Sequence, residues 1–79
     1  MQTPTRRLAV QRRDYDAMRA GLIAGYRAGV EPWRSNPAQF GIRRDAWEEN
    51  VAAVGAMIKT RASSFDYAKW RAEIAEAVK

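Results

Sequence analysis

Residues 19–29 read RAGLIAGYRAG, and an Ala-Gly pair recurs in them at four-residue intervals: Ala20-Gly21, Ala24-Gly25 and Ala28-Gly29. A glycine inside a helix costs about 0.8–1 kcal/mol relative to alanine, so a helix here needs surroundings that offset roughly 2–3 kcal/mol. The large apolar residues around the stretch supply a reason to fold. Tyr15, Met18, Leu22 and Tyr26 follow one another at helical steps and line one face of an α-helix. On a wheel of about 100° per residue, Gly25 and Gly29 fall inside that face, Gly21 at its edge, and the three alanines opposite. The spacing predicts a shallow glycine groove in the buried face, which a second helix approaches closely and across which Trp47 lies. Gly21, Gly25, Gly29 and Trp47 are the expected helix-packing set. The row Ala20, Ala24 and Ala28 is either a plain solvent face or a second contact surface; the plain reading is preferred, because alanine is the best helix former.

The rest of the chain supplies what packs against this helix. Residues 1–5, MQTPT, are expected to fray. The first helix is expected over 6–29, with Asp14 and Asp16 as alternative starts, Gly29 as its C-cap and Pro32 unable to continue it. Residues 30–41, VEPWRSNPAQFG, read as a loop. In it Trp33 and Phe40 are either plugs folded back on the helices, the preferred reading, or a contact surface for a partner or for RNA bases. A second helix is expected over 43–62, where Trp47, Val51, Val54 and Ile58 recur at helical spacing. Its acids Asp45, Glu48 and Glu49 sit early and its bases Lys59 and Arg61 late, matching the helix dipole. Ser63 and Asp66 have the spacing of a capping box. A third helix over 64–78 follows, with Tyr67, Trp70, Ile74 and Val78 on one face. No run alternates with a period of two, so the expected fold is all-α: a helical hairpin plus a shorter third helix in one small domain.

Composition narrows the chemistry. The 79 residues contain no Cys and no His, which excludes disulfides and any zinc or transition-metal site built on thiolate or imidazole. The usual acid-base and nucleophile constellations are missing with them. Asp14 and Asp16 are two apart and do not share a helix face. GLIAGYRAG lacks the strand before it and the Lys-Ser/Thr after it that a phosphate loop needs. A binding protein without catalytic residues, metal or cofactor is expected. TRRLAV opens like a twin-arginine signal but QRRDYD follows it, not an apolar run, and no stretch is long and apolar enough to span a membrane. A cytoplasmic location is expected.

Fourteen Lys and Arg stand against nine Asp and Glu, for a net charge of +5. Such a balance fits a polyanionic partner, although many small proteins are mildly basic without one. The excess sits in the first 30 residues, where the doublets Arg6-Arg7 and Arg12-Arg13 fall. Arg6, Arg7, Arg12 and Arg13 are candidate phosphate contacts, and Arg19, Arg27, Arg43 and Arg44 could add to the same surface.

Across residues 17–55, Gly21, Gly25 and Gly29 are followed by Asn36-Pro37, then Ala46-Trp47, then Gly55. In this order of a Gly-rich helix, a loop with an Asn-Pro step and a second helix opening on Ala-Trp, the stretch resembles the ribosome modulation factor family. Where the family often has an aromatic after Asn-Pro this chain has Ala38, and Asn50-Val51 stands in place of a Gly-Trp. The resemblance implies a two-helix core and binding to the small ribosomal subunit, through RNA and neighbouring proteins, with modulation of translation as the outcome. The alternative is an inhibitor or adaptor of the kind phages and mobile elements encode, acting by protein contact on a host complex through Trp33, Phe40 and Trp70. A helix-turn-helix DNA binder is a weaker third reading, because TRASSFDYAKWRAE lacks a convincing recognition helix. Self-association as a homodimer is expected in either of the first two cases, because so short a chain has a poor ratio of core to surface.

Overall fold

The computed structural model describes residues 11–79. In these the chain forms three α-helices and no strand: α1 (Arg12–Gly29), α2 (Pro37–Arg61) and α3 (Tyr67–Ala77), with a 3-10 turn at Glu31–Trp33 between the first two. Each helix packs on the other two. Trp70 of α3 meets Tyr15 of α1, and Arg19 meets Glu73, so these two helices run in the same sense. Gly55 of α2 faces Tyr67 and Glu48 faces Arg71, so α3 runs against α2. None of the described helices is long and apolar enough to cross a membrane.

The helix ends follow local chemistry. Asp14 turns back to accept the backbone N–H of Gln11 at 2.8 Å, and α1 starts at Arg12. The expected start at Arg6 lies outside the described residues. Gly29 is the last residue of α1, not a left-handed cap; no described glycine has a positive φ. The chain stays right-handed through Val30, whose N–H reaches Tyr26 O at 2.8 Å, and passes straight into the 3-10 turn.

The second helix begins at Pro37, six residues before the expected Arg43. Asn36 is its N-cap, with Oδ1 accepting from the Gln39 N–H at 3.3 Å, and Pro37 takes the first helical position, where its missing N–H costs nothing. Asn-Pro is therefore a helix start here, and Phe40 and Gly41 belong to α2. The third helix starts at Tyr67, not Ser64: Asp66 caps it by accepting from Lys69 N–H at 3.0 Å, and Ser63 stays in the turn. Lys59 closes that turn, its ammonium donating to Ser63 O at 2.8 Å and Phe65 O at 2.9 Å.

The core is built from Tyr26, Val30, Trp47, Val51, Ile58, Phe65, Trp70 and Ile74, with Tyr15, Met18, Leu22 and Val54 packed at its border. Two tryptophans tie it to backbone: Trp47 Nε1 donates to Leu22 O at 2.8 Å, and Trp70 Nε1 to Tyr15 O at 3.2 Å. Edge-on aromatic pairs tie α1 to α2, through Tyr26 and Trp47, and to the α2–α3 turn, through Tyr15 and Phe65, both at 4.8 Å between ring centres.

The glycine groove is not where the wheel put it. Gly21 and Gly25 are exposed and Gly29 is half-buried. A Cβ added to any of the three would meet nothing within 4 Å. The buried face of α1 also takes in Arg19, Ile23 and the C-capping Val30, which rotates its centre by roughly 30° away from the glycines. Ile23 and Val30 are apolar positions outside the series Tyr15, Met18, Leu22, Tyr26, and Arg19 is drawn inward by Asp16 and Glu73. Trp47 does pack on α1, but over Leu22 and Tyr26. Among the described glycines it is Gly55 whose Cβ position is filled by another helix, through Tyr67 and Trp70 of α3. With open space above them, Gly21→Ala and Gly25→Ala should each stabilise the fold by about 0.8–1 kcal/mol through helix propensity alone. Thermal melts would show this as a rise of roughly 4–8 °C per substitution; a fall would mean that something lies close over this face in solution.

Candidate nucleic-acid interface

The arginines singled out from the sequence divide by what they meet. Arg12 and Arg13, in the first turn of α1, are exposed and form no ion pair with any described residue. Arg6 and Arg7 lie outside the described residues. Arg19 is half-buried and spent on structure, at 2.6 Å from Glu73 and 3.4 Å from Asp16. It closes one wall of the cleft between α1 and α3, a cavity of about 260 Å³ floored by Tyr15, Phe65 and Trp70. Arg27 is exposed and reaches the carbonyl of Ala77 at 3.4 Å, a neutral acceptor that leaves its charge uncompensated. Arg44 lies 3.8 Å from Glu48, which Arg71 of α3 also engages. Such solvent-facing pairs contribute little to stability, but they remove positive charge from the surface.

The corner between α1 and α2 is different. Starting α2 at Pro37 puts Phe40 and Arg43 three residues apart on one helix face, turned toward the 3-10 turn that carries Trp33. Arg43 stacks its guanidinium on the Trp33 ring, 4.0 Å from Cζ to the ring centre. Arg34 lies over Phe40 at 5.4 Å and holds Glu31 through two hydrogen bonds, at 2.8 and 3.1 Å. That hydrogen-bonding holds the Glu31 carboxyl below the usual carboxylate range, and the same contact raises Arg34 above its ordinary value. The pair is therefore closed at neutral pH and is lost as acid protonates Glu31. Arg43 has no carboxylate partner among the described residues, and its Nε is buried without an acceptor.

Trp33 and Phe40 are thus half-buried supports for arginines, between the two roles expected of them. Trp70 has no part in a contact surface: it is 3% exposed and sits where all three helices meet. The large apolar side chains that do face outward on α2 are Ile42 and Met57, 63% and 40% exposed. A second helix starting at Arg43 gives no ground for expecting the Arg43–Trp33 contact; the start at Pro37 does. The Asn36-Pro37 step, read as cap and first helical residue, is the signal that would have found it. No family model, characterised protein or solved structure matches the chain.

Proposed function

We propose that the protein is a small non-enzymatic RNA-binding protein that acts on the ribosome or on structured RNA to modulate translation. The observation that carries this reading is the distribution of free positive charge. Arg12, Arg13, Arg27, Arg43, Lys59, Arg61 and Lys69 form no ion pair with a described acid, while Arg19, Arg34, Arg44, Arg71 and Lys79 are each within 4 Å of a carboxylate. What remains is an excess of cations at the end of the hairpin that carries Arg12, Arg13, Arg61 and Lys69, suited to phosphates. The resemblance of residues 17–55 to ribosome modulation factors supports the same partner and is the reason for naming the ribosome.

Binding should be tested by co-sedimentation with ribosomes and by titration of duplex RNA at several salt concentrations. Replacing Arg6, Arg7, Arg12 and Arg13 by Ala should remove up to four phosphate contacts and flatten the slope of log K against log salt by roughly 3–4 units. The helical circular-dichroism signal should persist, since Arg12 and Arg13 are exposed and carry no structural contact. Binding that ignores both salt and these substitutions would favour the second reading, an inhibitor or adaptor seated on a host protein complex. The observation behind that reading is the exposure of Ile42 and Met57 on the outward side of α2.

A further inference from the structure

We infer that the Trp33–Arg43 stack is a capture site for an unpaired RNA nucleotide, so that this corner selects single-stranded or looped RNA while the other cations bind phosphates of any RNA. The inference rests on the RNA-binding reading above and adds to it which feature of RNA is recognised.

A guanidinium free in water is neither oriented nor desolvated, and it binds phosphate as a diffuse charge. Arg43 differs on each count. Its guanidinium carbon sits over the Trp33 ring, 4.0 Å from the ring centre, and its Nε is removed from water with no acceptor. The Nε itself is closed off from any ligand, but the terminal N–H groups of Arg43 are not buried and have no acceptor among the described residues, so they are the donors a ligand can reach. Its neighbours leave those donors open: Glu31 is committed to Arg34, Glu48 to Arg71 and Arg44, and Asp45 stands two residues away, off the Arg43 face.

Arginine planes and aromatic rings are the surfaces on which proteins stack splayed bases, and the N–H edge of the same guanidinium takes a phosphate oxygen or a base acceptor. A stacked Arg–Trp pair offers both chemistries with the side-chain ordering already accomplished. Phe40, carrying Arg34 at 5.4 Å, extends the aromatic floor beside it. Bases held in a duplex cannot present a face to such a platform, so the selectivity for unpaired nucleotides follows from the geometry of stacking.

The three tryptophans make a direct test available. Trp47 and Trp70 are 8% and 3% exposed with their N–H groups on backbone carbonyls, so Trp33 is the one within reach of a ligand. Octauridylate and octaadenylate should quench tryptophan emission in the parent, and the quench should vanish in Trp33→Phe. Arg43→Lys keeps the charge but loses the plane. It should bind the single strands about fivefold or more weakly, with an unchanged salt slope and unchanged affinity for a 12-base-pair RNA duplex. Thermal melts of both variants report whether the fold is intact. Salt-dependent duplex binding with no Trp33 quench by the single strands, or Arg43→Lys binding single strands as well as the parent, overturns the capture site and leaves the RNA reading standing. Failure of the parent to bind either RNA at low salt overturns both.

Discussion

Trp70→Ala should cost about 3–5 kcal/mol, the range for truncating a buried tryptophan. A chain of this length is stabilised by only about 4–12 kcal/mol in total, so the variant should lose a quarter or more of that stability and melt at a far lower temperature. The size of the effect follows from what the indole touches. It packs edge-on against Phe65 at 5.6 Å, lies beside Tyr67 at 6.1 Å, and donates to Tyr15 O on α1. Removing it leaves a cavity at the point where all three helices meet, and a small domain has few other layers with which to fill it. Trp70→Phe should lose less, since it keeps most of the packing and gives up one hydrogen bond. Urea melts followed by circular dichroism measure both. A Trp70→Ala protein that melted like the parent would return this residue to the surface role expected from the sequence.

Gly55→Leu should destabilise by about 1–3 kcal/mol, the usual cost of overpacking a filled core. A Cβ at Gly55 would collide with Tyr67 Cε1, lie 2.7 Å from Tyr67 Cδ1 and 3.1 Å from Trp70 Cζ3. Tyr67 is 36% exposed and could swing outward, but Trp70 is pinned in the core. Leucine is a better helix former than glycine by nearly 1 kcal/mol, and that gain falls short of the clash. Gly25→Leu is the matched control. It enjoys the same gain in propensity and meets nothing within 4 Å, so it should hold or raise the melting temperature. Paired melts of the two variants would separate glycine as a packing device from glycine on an open face. Equal losses would mean that α1 is covered in solution by something beyond this chain.

Much of the architecture was legible in the residues. Three apolar series, around Tyr26, around Val51 and around Ile74, announce three helices, and all three reach the core. The period of these series is a local property: it depends on 3.6 residues per turn and on nothing distant. The free arginines of the first turn of α1 were visible as a doublet for the same reason. Caps were less legible, because Asn-Pro suits a turn and a helix start equally well. Only the packing of Phe40 and Arg43 on the 3-10 turn shows which of the two applies.

The residues by themselves determined the helix count, most of the core, the net charge and the absence of thiol and imidazole chemistry, since each depends on composition or on spacing along one element. The tertiary structure alone decided the angle at which each face is presented. A shift of roughly 30° on α1 moved Gly21 and Gly25 into the open and brought Ile23 and Val30 inward, and the packing of α3 on α2 made Gly55 the glycine with no room for a Cβ. It also decided which charges stay free. Arg19 and Arg43 look alike in sequence, yet one is neutralised by Glu73, 54 residues away along the chain, and the other is left stacked on Trp33 without a carboxylate. Ion pairing and close packing between helices are long-range matters of distance. A periodic pattern on one helix carries no record of which side chain of another will stand across from it.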